Sequence, residues 1–469
     1  MFKRIFLIIL LAVSCHFLNA GPRLEYDQTA LDQYVHQPDQ AYRYEVVNTL
    51  SGEGYTTFIV NLISQKYLTS EDVNKTEWQH WLIVVKPDEI KHQTGMLIIG
   101  AGDNDGKIPD ESPQLLVNYA KATGSIVAEL SMVPNQPLTF KGEKEPRWED
   151  ALIAYTWDKY LKTGEERWPA RMAMTKSAVA AMDAIQSLME QQDISETVSK
   201  FVIAGASKRG WTTWTTGAVD DRVEAMIPIV IDLLNLEPSF KHHWSVYGFW
   251  APAIQDYVDM EIVDWWYSPE IRSLFNLVGP FSYKDRFKMP KLLVNAAGDE
   301  FFIPTSSQFY FDELPGEKYL RYVPNADHGL SDTDALETVL AFYASILNNF
   351  PRPQFSWKFN QDGSIRVRSE GEVKEVNMWS AKNPEARDFR KDKIGNSWRS
   401  TVLIEEQDGS YKAMPETPHK GWRAYFVELT YETPFGIPLK FTTPVRVIPD
   451  TLPYQHKPPK EPKKGFLTK

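Results

Sequence analysis

One cysteine, Cys15, stands in a chain of 469 residues. That scarcity excludes a disulfide framework and a cysteine-clustered zinc site. Positive charge is also short. Lys and Arg number 51 against 62 Asp and Glu, a formal net charge of -11, which carries no electrostatic footprint for nucleic acid. The apolar run from Ile5 to Val13 is too short to span a bilayer comfortably. No H-E-x-x-H is present, and His242-His243 are adjacent rather than four apart on a helix face. A phosphate-binding P-loop is missing too, because Ile108 follows Gly106-Lys107 where Ser or Thr is needed. Neither a metal nor an organic cofactor is expected.

Lys3 and Arg4 precede the apolar run, and Leu18-Asn19-Ala20 offers a cleavage point before Gly21. Residues 1–20 therefore read as a secretory signal peptide, and the protein as exported, periplasmic or secreted, with no transmembrane segment in the mature chain. Cys15 after Leu11-Ala12-Val13-Ser14 weakly resembles a lipoprotein processing site, which gives lipid anchoring as the minor alternative. Cleavage after Ala20 would leave no thiol to act as nucleophile.

What is abundant is alternation. Short apolar runs at Trp81–Val85, Met96–Ile99, Ser125–Ala128, Phe201–Ala204, Ala225–Ile231, Lys291–Asn295 and Tyr319–Val323 fit strands buried on both faces. Helical patterns lie between them, at Pro113–Lys121, Glu149–Tyr160 and Lys176–Met189, and after them at Thr333–Leu347. The order predicts a mostly parallel α/β sheet over residues 21–350. The segment 236–283 breaks the rhythm and is dense in aromatics, among them Trp244, Trp250, Trp265 and Trp266. It reads as a lid-like insertion over a pocket or as an added helical layer. After Pro351-Arg352-Pro353 short alternating segments predict an all-β, sandwich-like domain over 351–452. The proline- and lysine-rich residues 453–469 are expected to form a disordered basic tail.

Chemistry concentrates at the ends of those strands. Gly205-Ala206-Ser207-Lys208-Arg209-Gly210 follows the strand 201–204 directly and leads into a helix. A serine on such a turn is held outward at the sheet edge. The Lys208 amide then points at the place where an oxyanion would form, and Gly100-Ala101, after another strand, would supply a second donor. Arg209 stands where G-x-S-x-G has its second glycine, which arrives one position later at Gly210. Asp299 leaves the strand 291–295, and His328 follows the strand 319–323. Ser, acid, His is the chain order of α/β-hydrolases. His328 would take the serine proton and Asp299 would fix its tautomer. Asp232 and Asp327 are competing acids; His242 and His243 are competing bases that follow no core strand. Trp211, His243 and Trp244 are the expected substrate-pocket residues.

Longer stretches carry a resemblance. Leu31-Asp32-Gln33-Tyr34-Val35, Glu149 to Asp158, Met174 to Ala178, Gly205 to Trp211, Tyr283 to Arg286, Asn295 to Pro304 and Asp327-His328-Gly329 resemble the PhoPQ-activated pathogenicity-related protein family, which includes secreted eukaryotic proliferation-repressor relatives. The resemblance implies an α/β-hydrolase fold with the serine motif on Ser207, the acid on Asp299 and the base on His328. It also implies that the Lys-Arg form of the serine motif is the family's own. It names no substrate.

Two functions follow. One is an exported serine hydrolase, an esterase or peptidase, that forms an acyl-enzyme on Ser207. The other is a non-catalytic binding protein that presents the hydrolase frame and the β region to host-derived molecules.

Overall fold

The computed structural model describes residues 26–192, 198–459, 461 and 463–468. The expected signal peptide and Cys15 lie outside the described residues. Strands β1 (Arg43–Gly52), β2 (Tyr55–Lys66) and β3 (Glu77–Pro87) form an antiparallel run. They are followed by β4 (Thr94–Ile99), β5 (Val127–Leu130), β6 (Lys200–Ala206), β7 (Val223–Ile229), β8 (Lys291–Ala296) and β9 (Lys318–Val323). The sheet order is β1-β2-β3-β5-β4-β6-β7-β8-β9. The pair β3–β5 is antiparallel, and every pairing from β5 through β9 is parallel.

The parallel strands are apolar because both faces are covered. Helices α1 (Ala30–His36), α2 (Gln114–Thr123), α3 (Glu149–Thr163), α4 (Ala170–Gln191) and α5 (Lys208–Val219) come before β7. Of these, α2 packs on one face of the sheet, while α1, α3, α4 and α5 pack on the other. Residues 236–283 form α6 (Leu236–Tyr247), α7 (Gln255–Asp259) and α8 (Pro269–Val278) with short 3₁₀ turns. Much of their aromatic content is spent on packing: Trp265 and Trp266 are buried in the same core as α3 and α5. Helix α9 (Ala335–Leu347) follows β9 and joins α2 on the other face.

The carboxy-terminal strands correct one expectation. They are β10 (Phe355–Phe359), β11 (Ile365–Ser369), β12 (Glu375–Asn383), β13 (Arg399–Val402), β14 (Tyr411–Ala413), β15 (Trp422–Tyr431), β16 (Leu439–Thr442) and β17 (Arg446–Ile448). Thr442 of β16 pairs with Leu320 of β9, so the central sheet runs on through β16, β15, β12 and β13, and with β17 paired beside β15 it reaches 14 strands. A three-stranded sheet, β10-β11-β14, is stacked on this extension. Its Ile365, Val367 and Ala413 share one core with Val427, Phe441, Tyr319 and Phe342. Residues 351–452 therefore close no sandwich core of their own.

The tail is also ordered against the body. Glu270 Oε1 accepts from the Gly465 and Leu467 amides at 3.0 and 3.1 Å and from Thr468 Oγ1 at 2.6 Å. Phe466 meets the Tyr160 ring edge-on with centroids 5.4 Å apart. Polar composition predicted disorder, but a buried carboxylate in need of donors supplies a docking point.

Candidate active site

Strands β6, β8 and β9 run parallel, so their carboxyl ends open on one edge of the sheet. Ser207 closes β6 and caps α5 with φ 59° and ψ -124°. A non-glycine residue in that region is strained, as a nucleophile elbow requires. The neighbours explain the spacing of the motif. A Cβ on Gly210 would lie 2.8 Å from Ile231 Cγ2 and 2.9 Å from the Gly205 carbonyl oxygen. The small residue demanded by the close approach of helix and strand is thus Gly210, and Arg209 is free to carry a long side chain.

Asp299 and His328 come together. His328 Nδ1 lies 2.8 Å from Asp299 Oδ2. The other carboxylate oxygen accepts from the Phe301 and Phe302 amides at 2.8 and 3.2 Å. The His328 amide donates to Glu300 Oε2 at 2.9 Å. Phe301 and Phe302 flank the imidazole, with ring centroids 4.4 and 5.9 Å away. The free ring nitrogen, His328 Nε2, is buried with no hydrogen-bond partner. No hydrogen bond joins it to the Ser207 hydroxyl.

The alternatives are otherwise engaged. Asp327 pairs with Lys391 at 3.1 Å. Asp232 is buried beneath the site and accepts from the Tyr310 and Tyr322 hydroxyls. Burial pushes its carboxyl up to about 7, against the lowering effect of those hydrogen bonds and with help from the nearby Asp299 charge. His242 contacts Thr305 Oγ1 at 2.8 Å, and His243 Nε2 accepts from the Ala251 amide at 3.1 Å. Burial, with the Arg387 charge beside the first and the Arg390 charge beside the second, lowers each to about 3.

Two of the expected oxyanion donors differ from each other. The Gly100 amide donates to the Leu130 carbonyl at 2.8 Å, so Gly100 is corrected: its N–H is spent inside the sheet. Among the described residues no acceptor is found for the Ala101 amide, and Lys208 sits at the first turn of α5, where amides lack intrahelical partners. The pocket residues divide likewise. Trp211 is only 2% exposed, donates to the Val278 carbonyl and lies under the Arg171 guanidinium; it is a core residue. Trp244 packs on Trp250 and His456 rather than on the site. His243 does line a small cavity, together with Phe240, Ile254, Phe301 and Phe302. That cavity reaches His328 through the two phenylalanines.

Sequence reading missed the surrounding ion pairs. Arg209 grips Glu149 with two hydrogen bonds, 2.6 and 2.8 Å, and Lys208 Nζ lies 2.9 Å from both Glu149 and Asp150. Glu149-Asp150 stood among the family-like stretches, which was the one signal available. Lys391 was missed as well; its amide donates to the Gly298 carbonyl and its ammonium to Asp327, bracing both loops that carry the acid and the histidine. A Cβ on Gly298 would come within 2.8 Å of the Ala326 carbonyl, so those loops can meet only around a glycine. Among the described residues no group of three or more His, Cys, Asp or Glu could hold a metal, and no helix is long and apolar enough to cross a membrane.

Comparison with known proteins bears on these features. The model of the PhoPQ-activated pathogenicity-related protein family matches residues 31–390. Autocrine proliferation repressor protein A of Dictyostelium discoideum is 35% identical over 455 residues, covering 91% of this chain and 92% of that one. Among solved structures, the acetyl xylan esterase from Paenibacillus sp. R4 is 14% identical with a TM-score of 0.46, over 70% of this chain and 96% of its own. Acetyl xylan esterase 1 from Thermoanaerobacterium sp. JW/SL YS485 gives 14% and 0.45, over 68% and 94%.

Proposed function

The chain belongs to the PhoPQ-activated pathogenicity-related protein family, and from that premise we propose that it is an exported serine hydrolase acting on ester or peptide bonds. The observation that carries this reading is the Asp299–His328 pair, whose Nε2 is left unpartnered on the same sheet edge as the strained Ser207.

In the reaction, Ser207 Oγ attacks the substrate carbonyl carbon while His328 Nε2 takes the hydroxyl proton. Asp299 holds Nδ1–H and stabilises the imidazolium. The oxyanion of the tetrahedral adduct accepts from the Lys208 and Ala101 amides. Collapse breaks the bond to the leaving alcohol or amine, which departs with the proton from His328, and leaves an acyl group on Ser207. Water, deprotonated by the same nitrogen, then releases the acid and restores the serine.

A fluorophosphonate probe should label the purified wild-type protein and fail to label Ser207→Ala. Short-chain aryl esters and aminoacyl amides, offered side by side, separate esterase from peptidase. Folded wild-type protein that neither labels nor turns over any of them would remove the hydrolase reading and leave binding to host-derived molecules as the function to pursue.

A further inference from the structure

The peptide that carries the Ala101 amide is gripped from behind. Its carbonyl, on Gly100, accepts from the Val133 amide at 3.2 Å. In a trans peptide the C=O and N–H point in opposite directions, so this bond aims the Ala101 N–H away from the loop 131–137. The Ala101 carbonyl in turn accepts from the Met132 amide at 2.8 Å. Whatever fixes that loop therefore fixes the donor.

Arg209 does so directly, since its Nε donates to the Val133 carbonyl. The same guanidinium holds the Glu149 carboxylate through both terminal nitrogens. Glu149 extends the grip: its amide donates to Gln136 Oε1 at 2.8 Å, and Gln136 Nε2 donates back to Glu149 Oε1 at 2.5 Å and to the Gly102 carbonyl at 3.1 Å. Glu149 sits at φ 44°, an unfavourable conformation that persists only where surrounding contacts enforce it. Arg209 and Gln136 are buried, whereas Ala101 and Gly102 are exposed. A surface loop is thus clamped by an interior network.

The geometry points to Arg209, Glu149 and Gln136 as positioning residues that lock the Ala101 amide at a set distance from the Lys208 amide, one position from Arg209 on α5. The Lys-Arg pair after the serine is the device that ties the two halves of the oxyanion site together. Burial works against ionised Glu149, yet the Arg209 hydrogen bonds and the two cationic charges hold its carboxyl at about 2, so the clamp stays ionised through neutral pH. The inference deepens the hydrolase reading and rests on it for its catalytic part.

Two variants test it in the full chain. Arg209→Lys keeps the charge but loses the planar fork; Gln136→Met breaks only the link from Glu149 to Gly102. In both, amide hydrogen exchange across 100–106 and 131–136 should rise about tenfold or more, with β15 unchanged. On any ester the wild type turns over, kcat should fall about 10²-fold with KM within about threefold, as for a misplaced transition-state donor. Unchanged exchange in both variants overturns the clamp, as does faster exchange with full kcat. A wild type that is unlabelled by the fluorophosphonate and inactive on every ester and aminoacyl amide sinks the hydrolase reading alone, and the exchange arm still decides the clamp.

Discussion

Ser207 holds a strained backbone conformation at the turn from β6 to α5. With φ at 59°, a glycine would sit there without strain, so Ser207→Gly should abolish fluorophosphonate labelling yet stabilise the fold by about 1 kcal/mol. Thermal unfolding of wild type and variant side by side checks the sign; a lower melting temperature in the variant contradicts a strained elbow. Asp299→Asn should keep the fold, because Oδ1 still accepts from the Phe301 and Phe302 amides. It should lower kcat about 10⁴-fold by favouring the wrong imidazole tautomer. The positions of Ser207, Asp299 and His328 were legible because each follows a strand that reads as an apolar run. The Gly100 amide was not, since its commitment to Leu130 depends on how β4 registers beside β5. Trp211 misled for a related reason: one turn beyond the serine is close in sequence, but that face of α5 points into the core.

At the scale of elements, the parallel strands announced themselves and the outer ones did not. Strand β1 is exposed over most of its length, so it carries no apolar signature; its backbone pairs with β2, and Tyr44 ties it to Ser187 on α4. The β region after 351 was legible as strands, but alternation does not say which sheet a strand joins; the Thr442–Leu320 pairing does. The tail shows the same limit. Pro and Lys dominate its composition, yet Phe466 rests on Tyr160 and three donors converge on Glu270. Phe466→Ala should cost about 2 kcal/mol, the worth of a partly buried aromatic. A tail that merely trails in solvent would leave the denaturation midpoint where it was.

For the whole molecule, buried titrating groups set the response to acid. His80, His242 and His243 are lowered to about 4, 3 and 3, each first by burial. In the unfolded chain they regain an ordinary value near 6.5. Between about pH 6.5 and 4 the unfolded state thus binds protons that the folded state refuses, and stability falls as pH falls. Asp232 acts in the opposite sense. Its folded value near 7 lies above the unfolded one near 3.8, so below pH 7 the folded state holds a proton that the unfolded state has lost, and this favours folding. Three groups outweigh one, and urea denaturation of the wild type should show stability declining from pH 6.5 toward 4. Asp232→Asn removes the opposing group while keeping a side chain able to meet Tyr310 and Tyr322. Its decline over the same window should be steeper than that of the wild type. A shallower decline in the variant would mean that Asp232 is ionised in the folded protein, its two tyrosine hydrogen bonds outweighing burial.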